Sequence, residues 1–470
     1  MTESRFGFLK EDFGESVEWY QKAAAQGHAT AQNNLGWCYE KGKGVTKDAA
    51  KAVEWYQKAA AQGHATAQTH LGLCYEYGKG VAQDYVKAVE WFKKAAVQGH
   101  AAAQTNLGWC YEEGKGVEQD YEKAVEWYQK AADKGDAVAQ NQLGWCYYYG
   151  EGVEQDYEKA VEWYQKAAEQ ENANAQTHLG WCYREGKGVL QDYEKAVGWF
   201  KKAAVQGHAV AQYNLGMCYY YGEGVAQDDA KAVEWYQKAA AQGHAFAQFY
   251  LGWCYQEGKG VAQNYAKAVE WYQKAAAQGH AAARYLLGLC YEYGTGVAQD
   301  DEKAVEWYQK AADQGDAAAQ NNLGVCYEEG KGVAQDYEKA VEWYQKAADQ
   351  GAVVARYNLG FCYENGKGVA QDYKKAVEWY QKAAAQGNVG AQRKIKELQK
   401  RQKEQKEIEG YKKKAAAQGN ATAQRKIAEL QKRQKESSEG KEKESSEGSG
   451  CLGKIVFGVI LVFILMKILS

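Results

Sequence analysis

Proline is absent from the 470 residues, so no helix is interrupted by a ring lacking an N–H, and every sharp turn falls to the 51 glycines. The N-terminal stretch MTESRFGFLKEDFGES has no apolar run, so no secretory signal is expected. The Gly-x-Gly of "GKGV", at Gly42 and Gly44, lacks the Lys-Ser/Thr of a phosphate loop and follows a helical pattern rather than a strand, which argues against nucleotide binding. Acidic side chains are spread evenly, and no two stand out as an acid and base pair. No enzyme, cofactor or metal site is expected.

What is present is repetition. Cysteine recurs at Cys38, Cys74, Cys110 and every 36 residues to Cys362, and tryptophan keeps the same spacing from Trp19 to Trp379. Self-similarity at a fixed period of this size is the signature of stacked helical or strand units, so one extended core is expected instead of several globular domains. Within a unit, Ala29 to Lys41 and Asp48 to Gln62 both read as helices. Ala31, Leu35, Cys38 and Tyr39 share one face of the first, and Ala52, Val53, Tyr56, Ala59 and Ala60 one face of the second. Trp55 and Tyr56 are expected to fill the space beside the small residues.

Glycine marks the helix ends. Gly42 and Gly44 make "GKGV" a turn, Asp48 stands at the N-cap of the second helix, and Gly63 closes it. His64 then opens the next first helix. Asp136, Asn172 and Asp316 take its slot in other repeats, which suits a cap better than a metal ligand, and His28, His64, His100, His208, His244 and His280 are too far apart to share a zinc ion.

The run AQNNLGWCYEKGKGV, then Asp48 and KAVEWYQKAAAQG, resembles the SLR (Sel-one-like repeat) family, relatives of tetratricopeptide repeats with a longer loop. Leu35, Gly36, Tyr39, Gly42, Gly44, Val45, Asp48, Ala52, Trp55, Ala59, Ala60 and Gly63 occupy its signature slots. The resemblance implies an all-α solenoid of αα-hairpins in a right-handed superhelix of 36-residue repeats, used as an adaptor or scaffold. It divides the chain into a half repeat at 1–27, ten repeats over 28–386 and a basic helical cap over 387–435. Some secreted members close each hairpin with two cysteines. Only one occurs per repeat here, and equivalent positions about 8–10 Å apart exceed the ~7 Å a disulfide spans, so a small buried apolar role is expected.

Between near-copies, the slots that differ are informative. On the first helix these are the slots of Thr30, Asn33, Asn34, Trp37 and Lys41, one stripe opposite the packed face. In the family the first helices line the concave side, so the stripe is expected to face a groove. It turns aromatic at Tyr213, Met217, Tyr221, Phe246, Phe249, Tyr250, Trp253, Tyr285 and Leu289, which suits capture of a protein or peptide. The competing reading is that these residues pack first helix on first helix.

From Arg393 to Lys435 the chain carries 15 basic and 5 acidic residues, whereas residues 1–392 carry −12 of the overall −3. A polar linker, 436–450, leads to CLGKIVFGVILVFILMKILS, whose residues 451–469 are long enough to cross a bilayer as a helix. A C-terminal transmembrane anchor with the solenoid facing the cytoplasm is therefore expected. Lys412, Lys413, Lys414, Lys432, Arg433 and Lys435 would meet lipid headgroups. A soluble or peripheral protein binding nucleic acid through the 393–435 helices is the disfavoured alternative. A host-directed effector of an intracellular bacterium is a further one, resting on the resemblance alone.

Overall fold

The computed structural model describes residues 13–418 and 422–432, and among them there are helices and no strands. They form an all-α repeat solenoid in two compact units, one ending at His280 and one beginning at Ala281. Within each unit the same hairpin recurs, for example Ala29–Lys41 with Ala49–Ala61 in the first, and Ala317–Glu329 with Tyr337–Asp349 in the second.

Local chemistry explains the boundaries. The first helix stops because Gly42 takes a left-handed φ of 67° and turns its N–H back to the Cys38 carbonyl, to which the Lys43 N–H also donates at 3.0 Å. The loop is then tied down by the Asp48 N–H, which donates to the Tyr39 carbonyl at 2.9 Å. The Asp48 carboxylate accepts the Lys51 N–H at 3.0 Å and starts the second helix. That backbone hydrogen bond, with Lys51 nearby, holds the Asp48 carboxyl below its ordinary range. His64, His100, His208 and His244 each accept an N–H three residues on through Nδ1, whereas His28 makes no such bond.

Packing follows the expected faces. Ala52, Val53, Tyr56, Ala59 and Ala60 of one second helix meet Ala67, Leu71 and Cys74 of the next first helix. Tyr56 is fully buried. Trp55, expected to share the gap, is only half-buried and lies under its own Lys58, whose Nζ is 3.9 Å from the ring centroid. The cysteines of the ladder are all buried and free. Burial pushes the Cys110 thiol up to about 12, so the reactive thiolate is suppressed.

The tightest contact is between the two helices of a hairpin. A Cβ placed on Gly144 would lie 2.7 Å from the Tyr164 ring, and the same holds at Gly36 against Tyr56. Two further features were not read from the sequence. Buried Gln68 donates to the Ala60 carbonyl at 3.2 Å and accepts from Gln98 at 2.7 Å, so the "AQ" dipeptides form a ladder between repeats. The Tyr56 hydroxyl donates to Glu40 at 2.8 Å, and Tyr344 does the same to Glu328. Where Phe92 replaces the tyrosine, buried Glu76 is left with one carboxylate oxygen unpartnered.

The last long helix, Val389–Gln418, buries Ala391 and Leu398 against Ala376, Tyr380 and Ala383. Its Lys394 reaches buried Glu364 at 3.0 Å. Lys, Glu and Gln occupy most of its length, which is incompatible with a hydrocarbon interior. Among the described residues no helix is long and apolar enough to cross a membrane. This overturns the expectation of a single-pass C-terminal anchor and, with it, the cytoplasm-facing placement. The 436–450 linker and the 451–469 segment lie outside the described residues.

Gly144→Ala should lower stability by about 1–3 kcal/mol through overpacking against Tyr164. Gly198→Ala, at a site in the helix Tyr193–Val205 where a Cβ meets nothing within 4 Å, should raise it by about 0.5–1 kcal/mol. Phe92→Tyr should add about 1 kcal/mol by supplying the missing donor to Glu76. Chemical denaturation of the three variants beside the parent checks all three signs.

Candidate interaction surface

The variable slots of the first helices are mostly used between neighbouring repeats. The slot of Asn33 meets the cap residue 31 positions later: Thr69 lies 3.1 Å from His100 Nδ1, and Thr105 donates to Asp136 at 3.2 Å. It also meets the slot of Asn34 in the next repeat, 37 positions later, as His178 with Asn141 at 2.9 Å. In the middle repeats aromatics take over the same contacts. Tyr213 stacks on His244 with ring centroids 4.9 Å apart and lies 5.8 Å from Tyr250, while Phe249 stacks on His280 at 4.6 Å. Trp253 donates its indole N–H to the Tyr220 hydroxyl at 3.2 Å.

The exposed strip expected over these repeats is therefore corrected. Met217, Phe249, Tyr250 and Trp253 in the first unit, and Tyr285 in the second, are each under 8 % exposed. Phe249, Tyr250 and Trp253 are held there by contacts between first helices, the competing reading of the stripe, whereas Met217 and Tyr285 meet Tyr236 and Tyr308 of the second helices. Tyr213, Tyr221 and Leu289 are half-buried, and Phe246 is 47 % exposed. Of the basic residues expected at a lipid surface, Lys412, Lys413, Lys414 and Lys432 are exposed, and Arg433 and Lys435 lie outside the described residues.

Accessible aromatic surface is instead found in the two preceding repeats, on the first helices Ala137–Tyr149 and Ala173–Glu185. A depression of ≈ 280 Å³ is walled by Trp145, Tyr148, Tyr149, Trp181 and His178. It adjoins a larger one of ≈ 500 Å³, which shares Trp145 and His178 and extends to Glu112 and Glu151. The Trp145 ring lies 4.3 Å from Tyr149 and 5.3 Å from His178, and Tyr164 closes on the histidine from below at 5.0 Å. Burial lowers His178 to about 4, so the ring is neutral at pH 7 and acts as an aromatic and a hydrogen-bonding group. The signal for this surface is in the sequence: the slot of Trp37 holds Trp again at Trp109, Trp145 and Trp181, and the slot of Lys41 holds Tyr149.

Among the described residues no cluster of three or more His, Cys, Asp or Glu is arranged to hold a metal ion. Comparison with known proteins agrees with the hairpin geometry. A family model described as the Sel1 repeat matches residues 4–28, 29–64, 65–100, 101–136, 137–172, 173–208, 209–244, 245–280, 281–316, 317–351 and 353–388. The chain belongs to the Sel1-repeat family. Sel1 repeats are generally non-catalytic scaffolds for protein–protein interaction. A protective antigen present in uropathogenic Escherichia coli strains, displaying an SLR fold, is 38% identical, with a TM-score of 0.67 over 89% of this chain and 90% of that one. A Sel1 repeat protein from Oxalobacter formigenes is 37% identical, with a TM-score of 0.51 over 66% of this chain and 89% of that one. No curated protein matches the chain.

The buried imidazole gives a pH dependence. Its folded pKa, about 4, lies below the ordinary 6.5, so between those values the unfolded chain binds the proton and the folded one does not. Stability is full above pH 6.5 and falls as the pH drops toward 4. His178→Gln, the residue found at the same slot in Gln142, should remove about 2 kcal/mol of the loss between pH 7 and pH 5. Thermal midpoints of parent and variant at the two pH values measure it.

Proposed function

We propose that this Sel1-repeat chain is a non-catalytic scaffold that holds a protein partner by a peptide segment laid against the first-helix face of its repeats. The observation that supports this most directly is the pair of adjoining depressions around Trp145 and Trp181. The tryptophans of the second helices are covered by their own lysines, as Trp163 is by Lys166 with Nζ 3.7 Å from the ring centroid. Among the described residues no lysine lies over Trp145 or Trp181, and Tyr149 is 50 % exposed. Half-exposed aromatics in a concavity offer contact area at little conformational cost, the kind of site at which peptide anchors gain most. In the same unit Tyr213, Tyr221 and Phe246 extend the accessible aromatic surface, and Met217, Phe249, Tyr250 and Trp253 are its packed backing. In the second unit Leu289 is the accessible member beside buried Tyr285. Residues 387–432 act in this reading as a polar cap that keeps the array soluble.

The experiment is site-specific photo-cross-linking of the full chain in the cells that produce it, with benzoylphenylalanine at position 149 or 246 on first helices, and at 97 or 205 on second helices. Val97 and Val205 are more exposed than Tyr149 and Phe246, so exposure alone favours the controls. Discrete protein adducts are expected from 149 and 246 only. Adducts from 97 and 205 alone, or from all four alike, would sink the reading.

A further inference from the structure

One column of residues joins each first helix to the loop of the next repeat, 39 positions on, and it is electrically matched almost everywhere it is seen. In the first unit Lys187 donates to the Tyr148 hydroxyl at 3.0 Å, Arg184 pairs with Glu223 at 3.0 Å, and Lys259 donates to Tyr220 at 3.0 Å. In the second, Lys331 approaches Glu292 at 3.5 Å and Lys367 pairs with Glu328 at 3.0 Å. At one step the match fails. The partner of Glu112 in this column is Glu151, so two carboxylates meet where other repeats place a lysine and its acceptor.

These two residues lie on the wall of the ≈ 500 Å³ depression, with Glu113, which Lys115 reaches at 3.8 Å, as a third carboxylate and Trp145 and Tyr121 as aromatic faces. Among the described residues no lysine or arginine lines it, and His178 is neutral at pH 7. Neither Glu112 nor Glu151 has a cationic partner within 4 Å among the described residues. Glu112 has the Tyr128 hydroxyl on one oxygen. Burial raises its carboxyl above the ordinary range against that hydrogen bond, and Glu151 and Glu113 add to the rise. A positive charge from outside would relieve the Glu112 and Glu151 step.

We infer that this depression is the seat for one lysine or arginine side chain of the bound peptide segment. The cation replaces the lysine missing from the repeat and lies against Trp145 and Tyr121, while the neighbouring aromatic depression takes an apolar residue of the same segment. This rests on the scaffold reading above and names the partner's chemistry: a basic side chain close to an apolar one.

The test uses the full chain and a fluorescein-labelled peptide carrying one arginine and one phenylalanine, beside the same peptide with neutral, isosteric citrulline for arginine. Fluorescence anisotropy should give at least about tenfold tighter binding of the arginine peptide, weakening with added salt. Glu151→Lys, which installs the residue that Lys331 and Lys367 supply in their own repeats, should fold normally, melt no lower than the parent, and abolish the preference. Glu151→Gln should reduce it. Equal affinity for the two peptides, no binding of either at millimolar concentration, or an unchanged preference in Glu151→Lys overturns the inference. So does displacement of the peptide by millimolar magnesium or calcium, which would assign the pocket to an inorganic cation. If the preference is absent while cross-links from position 149 persist, this inference falls alone; if those cross-links vanish as well, the scaffold reading falls with it.

Discussion

The fold depends on a contact that excludes one carbon atom. In each hairpin the glycine of Leu-Gly-x-Cys presents bare backbone to the ring of the second helix, Gly144 to Tyr164 and Gly72 to Phe92. With no Cβ the two helices approach until the Cδ1–Cε1 edge of the ring meets the backbone of the first helix, and the small residues around it follow from that distance. Ala160, Ala167 and Cys146 are buried because nothing larger fits beside a ring already in contact with backbone. The loop obeys a similar limit. A Cβ on Gly116, at φ 72°, would overlap the carbonyl oxygen of Tyr85 in the preceding hairpin, so the turn that joins the two helices of one hairpin also seats it on the one before.

The second layer of organisation runs between repeats, and it is written in columns. Residues 31, 33, 37 and 39 positions apart meet across the stack, so side chains in several first-helix slots have a partner about one period away. Asn and His pair in one step, as His70 does with Asn33 at 3.1 Å, and Tyr and His stack in another. Polar and aromatic versions perform the same task of joining first helices, so a change from one to the other need not announce a binding site. Free binding capacity is left where a column is incomplete, since there the side chains have surface or charge that no neighbour uses.

Much of this was legible because it is local. Helix ends follow from Gly42 and Asp48, whose effects extend over three or four residues, and the period follows from simple recurrence. The buried faces of Ala52, Tyr56 and Leu71 were readable from helical spacing. What was not legible was the exposure of Tyr250 and Trp253, because it is decided by residues 33 to 37 positions away in the stack. An exposed-stripe reading assumes that a slot without an intra-hairpin partner faces solvent; in a solenoid it faces the next repeat. The aromatic surface around Trp145 and Trp181 was passed over for the converse reason. Its tryptophans sit in a column where large residues are common, and only Tyr148, Tyr149 and His178 beside them make the column accessible and concave.

Near-identical repeats make each one a control for the others. The tyrosine-to-glutamate hydrogen bond at Tyr344 and Glu328 has a lysine, Lys367, to balance the carboxylate, and at Tyr380 and Glu364 the helix Val389–Gln418 brings Lys394 to the same task. A carboxylate that accepts from a tyrosine is thus routinely neutralised from the following repeat or from the cap. Burying an anion without a counter-charge costs folding free energy, and stacking cannot recover it. Among the described carboxylates that accept from a tyrosine, Glu40 takes its own neighbour Lys41 at 2.6 Å instead, whereas the Glu112 and Glu151 step has no cation within 4 Å. The departure also falls on the wall of the depression that adjoins the aromatic one, where a ligand has room to supply what the sequence withholds.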